Sequence, residues 1–103
     1  MLKWSLISNH GMVLATIAKH PHSTAREIGD IVGITERSAH KIINNLEEAS
    51  YLTKRKVGRN NKYRINAHVQ LQDEFTDSVV GDLLVVLGWK KRGKKGNLVK
   101  VEN

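Results

Sequence analysis

Apolar residues recur at helical spacing in three stretches of the first fifty residues. In the first, Met12, Val13, Leu14, Ile17 and Ala18 share one side of a helix. Ser8 and Asn9 are good N-cap types at its start. Pro21 closes it, because the residue before a proline avoids helical dihedrals. Trp4, Leu6 and Ile7 read as a short lead-in that packs on the core. The second stretch opens on Thr24-Ala25-Arg26-Glu27, the signature of a capping box. Ile28, Ile31 and Val32 give it a buried stripe, and Gly33, free to take positive φ, stops it. The third begins at Thr35, another N-cap type. Its Ala39, Ile42, Ile43, Leu46 and Ala49 fall at i, i+3, i+4, i+7 and i+10. Arg37, Lys41 and Asn44 occupy the opposite face, flanked by Ser38 and His40.

The period then changes. Tyr51, Val57, Tyr63 and Ile65 are strand formers, and Gly58-Arg59-Asn60-Asn61 has turn chemistry. Residues 53–65 therefore predict a hairpin with a turn longer than the tightest two-residue type. Residues 67–75 read as a connector. Thr76-Asp77 offers a cap for a last helix whose Val79, Val80, Leu83, Leu84, Val86 and Leu87 are apolar, with Gly88 at its end. So small a domain cannot turn all of that helix toward its own core, and an exposed apolar face marks a partner surface. A two-fold homodimer contact is the expectation, with packing on the first helix as the alternative. From Lys90 onward Lys and Gly dominate, as in a basic flexible tail.

Between residues 25 and 42 the order is Ile28, small Gly29, Val32, turn Gly33, Ile34, Ala39 and Ile42. Two helices crossing steeply around a short turn need a small residue at their approach and a flexible one at the turn. With the hairpin behind it, this segment resembles the winged helix-turn-helix of the MarR/ArsR-like prokaryotic transcription regulators. The resemblance is carried by Ser8-Asn9-His10-Gly11, Thr24-Ala25-Arg26-Glu27-Ile28, Gly33-Ile34-Thr35-Glu36-Arg37-Ser38, Leu46-Glu47-Glu48-Ala49-Ser50-Tyr51-Leu52 and Gly58-Arg59-Asn60-Asn61-Lys62-Tyr63-Arg64. It implies a mainly α fold with a small β-hairpin (α+β). It also implies a third helix in the major groove and a wing on phosphates or in the minor groove. The expected division is a DNA-binding domain at 1–66, a connector and dimerisation helix at 67–89, and a basic tail at 90–103.

The residue chemistry points the same way. Arg37 can donate two hydrogen bonds to guanine, and Asn44 can pair bidentately with adenine. Thr35, Ser38, His40 and Lys41 are further base or phosphate candidates within a recognition helix spanning 35–49. In the wing, Arg59 stands at the tip, where a guanidinium suits a narrow minor groove. Lys54, Lys56, Asn60, Lys62 and Arg64 are the other wing candidates. The bland alternatives are a solvated helix face and a Lys-rich hairpin that blunts a sheet edge.

The 103 residues carry a net charge of +7, unevenly placed. Residues 1–50 are neutral overall, 51–66 hold +6, 67–89 hold −4 and 90–103 hold +5. That length suits one domain. The absence of cysteine excludes disulfides, thiolate metal sites and cysteine nucleophiles. No apolar run reaches a membrane span, and a cytoplasmic location is the expectation. His10, His20, His22, His40 and His68 read as surface or capping residues rather than a metal set. Adjacent Glu47 and Glu48 do not face each other, and Gly93-Lys94-Lys95-Gly96 lacks the strand and hydroxyl of a phosphate loop. Neither an enzyme nor a cofactor is expected. The reading is a DNA-binding homodimeric regulator acting as a repressor, with any effector at the dimer contact or beside the last helix. A protein-interaction module and a sequence-independent nucleic-acid binder are the alternatives.

Overall fold

The first three helices start at caps their own sequence supplies. In the computed structural model, which describes residues 5–90, α1 spans Asn9–Lys19, α2 Ala25–Val32 and α3 Glu36–Glu48. The Ser8 hydroxyl accepts from the Gly11 N–H at 3.2 Å. At α2 the capping box is complete: Thr24 Oγ1 accepts from the Glu27 N–H at 3.1 Å, and Glu27 Oε1 accepts from the Thr24 N–H at 2.8 Å. Thr35 Oγ1 accepts from the Ser38 N–H at 3.0 Å.

Two antiparallel strands follow, β1 at Leu52–Val57 and β2 at Asn60–Ile65, and then α4 at Val80–Val86. The fold is therefore α+β, as expected. The core is shared by all of these elements. Val13, Leu14 and Ile17 of α1 meet Ile28 of α2 and Ala39, Ile42, Ile43 and Leu46 of α3. Leu52 and Tyr63 close it from the hairpin, and Val80 and Leu84 from α4. Gly29 makes the α2–α3 crossing possible: a Cβ there would lie 2.7 Å from the Ile34 carbonyl oxygen.

Three helix ends use the same closure, a left-handed residue followed by an N–H that reaches back to the last turn. Ile34 N–H bonds Gly29 O at 2.9 Å beyond Gly33, and Trp89 N–H bonds Leu84 O at 2.8 Å beyond Gly88. At α3 Tyr51 N–H bonds Leu46 O at 3.0 Å, but the left-handed position is Ser50, with φ 68°.

Several expectations are corrected. The hairpin turn is the two-residue Gly58-Arg59, with Val57 paired to Asn60, so Asn60 and Asn61 belong to the strand. Gly58 takes φ 65° at the first turn position, as the tight hairpin turns require. Ile31 is 58 % exposed rather than buried, because only Ala25, Ile28 and Gly29 of α2 lie fully inside. Leu6 is 86 % exposed and does not pack on the core; Trp4 lies outside the described residues. The cap of α4 is Val79, not Thr76-Asp77, and no side chain bonds it. The connector does that work with its backbone: Val69 O and Ala67 O accept from the N–H groups of Val80 and Gly81 at 2.8 and 2.9 Å.

Two stability effects follow. Gly29→Ala forces a methyl against backbone that cannot swing aside and is expected to cost about 2–3 kcal/mol, read as a lower urea midpoint. Ser50→Gly removes the left-handed penalty while keeping every backbone bond of the turn. It is expected to add about 0.5–1 kcal/mol, the penalty less the entropy of a glycine, read as a higher Tm.

Candidate nucleic-acid interface

The buried stripe of α3 fixes what its other face presents. With Ala39, Ile42, Ile43 and Leu46 inward, Arg37, Lys41 and Asn44 are all exposed. Thr35 and Ser38 are exposed but already engaged: beyond the cap bond, Thr35 Oγ1 donates to Ser38 Oγ at 3.0 Å. His40 faces Glu36 one turn back at 3.7 Å. Arg37 and Lys41 make no ion pair among the described residues.

The hairpin register sorts the wing by face, because side chains alternate along a strand. Leu52, Lys54 and Lys56 stand opposite Ile65, Tyr63 and Asn61, on the face that meets the core through Leu52 and Tyr63. Burial pushes the Tyr63 phenol above its ordinary value; the hydrogen bond with Asn61 opposes this, and the Glu47 charge adds to it. Thr53 and Arg55 stand opposite Arg64 and Lys62 on the other face. Asn60 opens β2 opposite Val57, and Arg59 is exposed in the turn.

Two placements differ from the sequence reading. Lys54 leans onto α3: its Nζ donates to Asn44 Oδ1 at 3.3 Å and lies 3.8 Å from Glu47 Oε1. Lys54 is thus a strut between wing and helix, and Asn44 shares its acceptor with that strut. Arg55 was not among the wing candidates. It sits directly across from Lys62, a like-charge pair that costs stability unless an anion joins it. Only the pairing register reveals this. Asn45 was also overlooked; its Nδ2 lies 3.1 Å from His10 Nε2 and ties α3 to the start of α1.

The expected dimer surface changes most. Val80 and Leu84 are fully buried in the domain's own core, so they are withdrawn from any partner. Val79, Leu83 and Leu87 are half-buried, and Val85 and Val86 point outward. His20 and His22 are both exposed, and no three His, Cys, Asp or Glu side chains converge among the described residues. No described helix is long and apolar enough to cross a membrane.

The sequence comparisons agree with this architecture. Residues 5–60 match the family model described as MarR family, a stretch running from ahead of α1 to the start of β2. The chain is 35 % identical over 60 residues to an uncharacterised protein, MJ1254, of Methanocaldococcus jannaschii. That alignment takes in 57 % of this chain and 13 % of the relative, so the chain spans a small part of the relative's length. No solved structure matches. With more than half of its residues under the family model, and with helix, turn, helix and wing in order, the chain belongs to the MarR family.

Proposed function

We propose that this chain is a transcriptional regulator that binds double-stranded DNA sequence-specifically and represses by occupying its operator. The observation that carries this is the exposed Arg37–Lys41–Asn44 row of α3, joined by Lys54 to a wing whose other cations have no ion pair among the described residues. A helix of this width fits the major groove, where Arg37 can take a guanine edge bidentately and Lys41 a phosphate or base. Asn44 reads through its amide N–H while Lys54 holds its oxygen. Arg59 enters the minor groove at the wing tip, a site that favours guanidinium where the groove narrows. Lys56, Lys62 and Arg64, with Arg55 added, supply phosphate affinity. Thr35, Ser38 and His40 shape the start of the reading helix and approach the backbone.

MarR family regulators act as dimers, and we extend that to this chain. A two-fold pair presents two α3 helices to half-sites one helical turn, about 34 Å, apart.

Selection from a random duplex pool tests the reading. An enriched motif with two inverted half-sites supports it. Strong, salt-sensitive binding without enrichment overturns it in favour of sequence-independent binding, and weak binding at physiological salt overturns it in favour of a protein-interaction module. Against the selected duplex, Arg37→Ala is expected to cost about 1–3 kcal/mol and to relax preference at one base position. Lys62→Ala is expected to weaken all duplexes alike and lower the salt slope by about 0.9 per lost phosphate contact. Titrations at several salt concentrations separate the two effects.

A further inference from the structure

Lys54 is held at both ends. Its backbone sits in β1 opposite Tyr63, two residues after Leu52, and both of those side chains are buried. Its Nζ lies 3.3 Å from Asn44 Oδ1 and 3.8 Å from Glu47 Oε1. Residues three apart are neighbours on a helix surface, so one ammonium reaches both. Glu47 supplies the countercharge that keeps the ammonium beside Asn44.

The ammonium also fixes which way the Asn44 amide faces. It carries three donors and no acceptor, so only the amide oxygen can meet it. The Nδ2 end points away from that bond, and Asn44 makes no other side-chain hydrogen bond among the described residues. An unencumbered asparagine pairs with adenine through both ends, accepting from N6 and donating to N7. Here the accepting end lies against a cation. An adenine or cytosine amino group brought to it would set its hydrogens beside the ammonium's. Guanine offers N7 and O6, both acceptors, whereas thymine offers O4 beside a methyl group. Asn44 Nδ2 has two N–H donors, so the guanine edge suits it best.

We propose that Lys54 is a positioning residue for base choice: by holding the Asn44 oxygen it makes Asn44 a reader of guanine rather than adenine. This rests on α3 lying in the major groove, as in the function proposed above. Lys54 needs no contact of its own with DNA for this effect.

Selection from a random duplex pool, run in parallel on the full chain and its Lys54→Met variant, tests the assignment. Methionine keeps an unbranched stem and removes the donor and the charge. The position read by Asn44 is the one whose preference Asn44→Ala abolishes, and in the original chain it is expected to be guanine. In Lys54→Met it is expected to become adenine, with the affinity ratio of the adenine to the guanine duplex raised at least about fivefold. The position read by Arg37 is expected to keep its base. In Lys54→Met/Asn44→Ala the shift is expected to be absent, which a loosened wing or a lost Lys54–phosphate contact would not produce. Glu47→Ala releases the ammonium without altering the hairpin and is expected to shift the same position the same way, by a smaller factor. Adenine at that position in the original chain, or an unchanged base in Lys54→Met, overturns the assignment while the Arg37 position still upholds the reading by α3. A uniform loss of affinity with a lower salt slope and no change of base marks a phosphate contact and overturns it as well. No enrichment at any position removes the reading by α3 and this role of Lys54 together.

Discussion

The crossing of α2 and α3 depends on an atom that is not there. Gly29 lacks a Cβ, and the Ile34 carbonyl occupies the space one would need. That approach sets the angle at which α3 leaves the turn, and so decides which of its side chains point outward. The same glycine's carbonyl accepts the Ile34 N–H that closes α2. One residue therefore ends a helix and seats the next. Had the helices been held apart, Ala39 would not be fully buried and the Arg37–Lys41–Asn44 row would turn.

What the wing adds is attachment as well as charge. Leu52 and Tyr63 anchor it in the core, and Lys54 reaches α3 at Asn44 and Glu47. The exposed ion pair itself contributes little stability, on the order of 0–1 kcal/mol. It links the hairpin to α3 beside the buried anchors Leu52 and Tyr63. The opposite face of the hairpin is different in kind. Arg55 and Lys62 face each other across the ladder with no carboxylate to separate them. Such a like-charge pair directly across a ladder costs some stability.

The parts legible in the sequence were those decided within a few residues. Thr24 with Glu27, and Thr35 with Ser38, close local rings, so their helix starts could be read directly. Ile31 was misread because a helical stripe of three apolar residues says nothing about how wide the neighbouring helix is. The hairpin turn was misread because Asn60 and Asn61 are good turn formers. Register overrode them, since pairing Leu52 with Ile65 and placing Tyr63 inward leaves room only for Gly58 and Arg59. Lys54, Arg55 and the α4 cap were beyond reach for one reason: each is set by a residue distant in sequence. In particular, the N–H groups at the start of α4 are met by Ala67 and Val69, so no side-chain cap was needed and none marks the place.

The distribution of charge gives helix and wing different tasks under the proposed reading. Besides Arg37 and Lys41, α3 carries Glu36, Glu47 and Glu48, so it has no surplus with which to hold a polyanion. Two of those acids are compensated where they stand, Glu36 by His40 when protonated and Glu47 by Lys54. Lys54 thus draws a carboxylate's charge away from the groove edge while giving up its own. Affinity must then come from the remaining wing cations, which tolerate any sequence, and discrimination from an almost neutral helix that binds only where its edge pattern is met. Separating the two tasks lets the wing's cations change without altering what α3 reads.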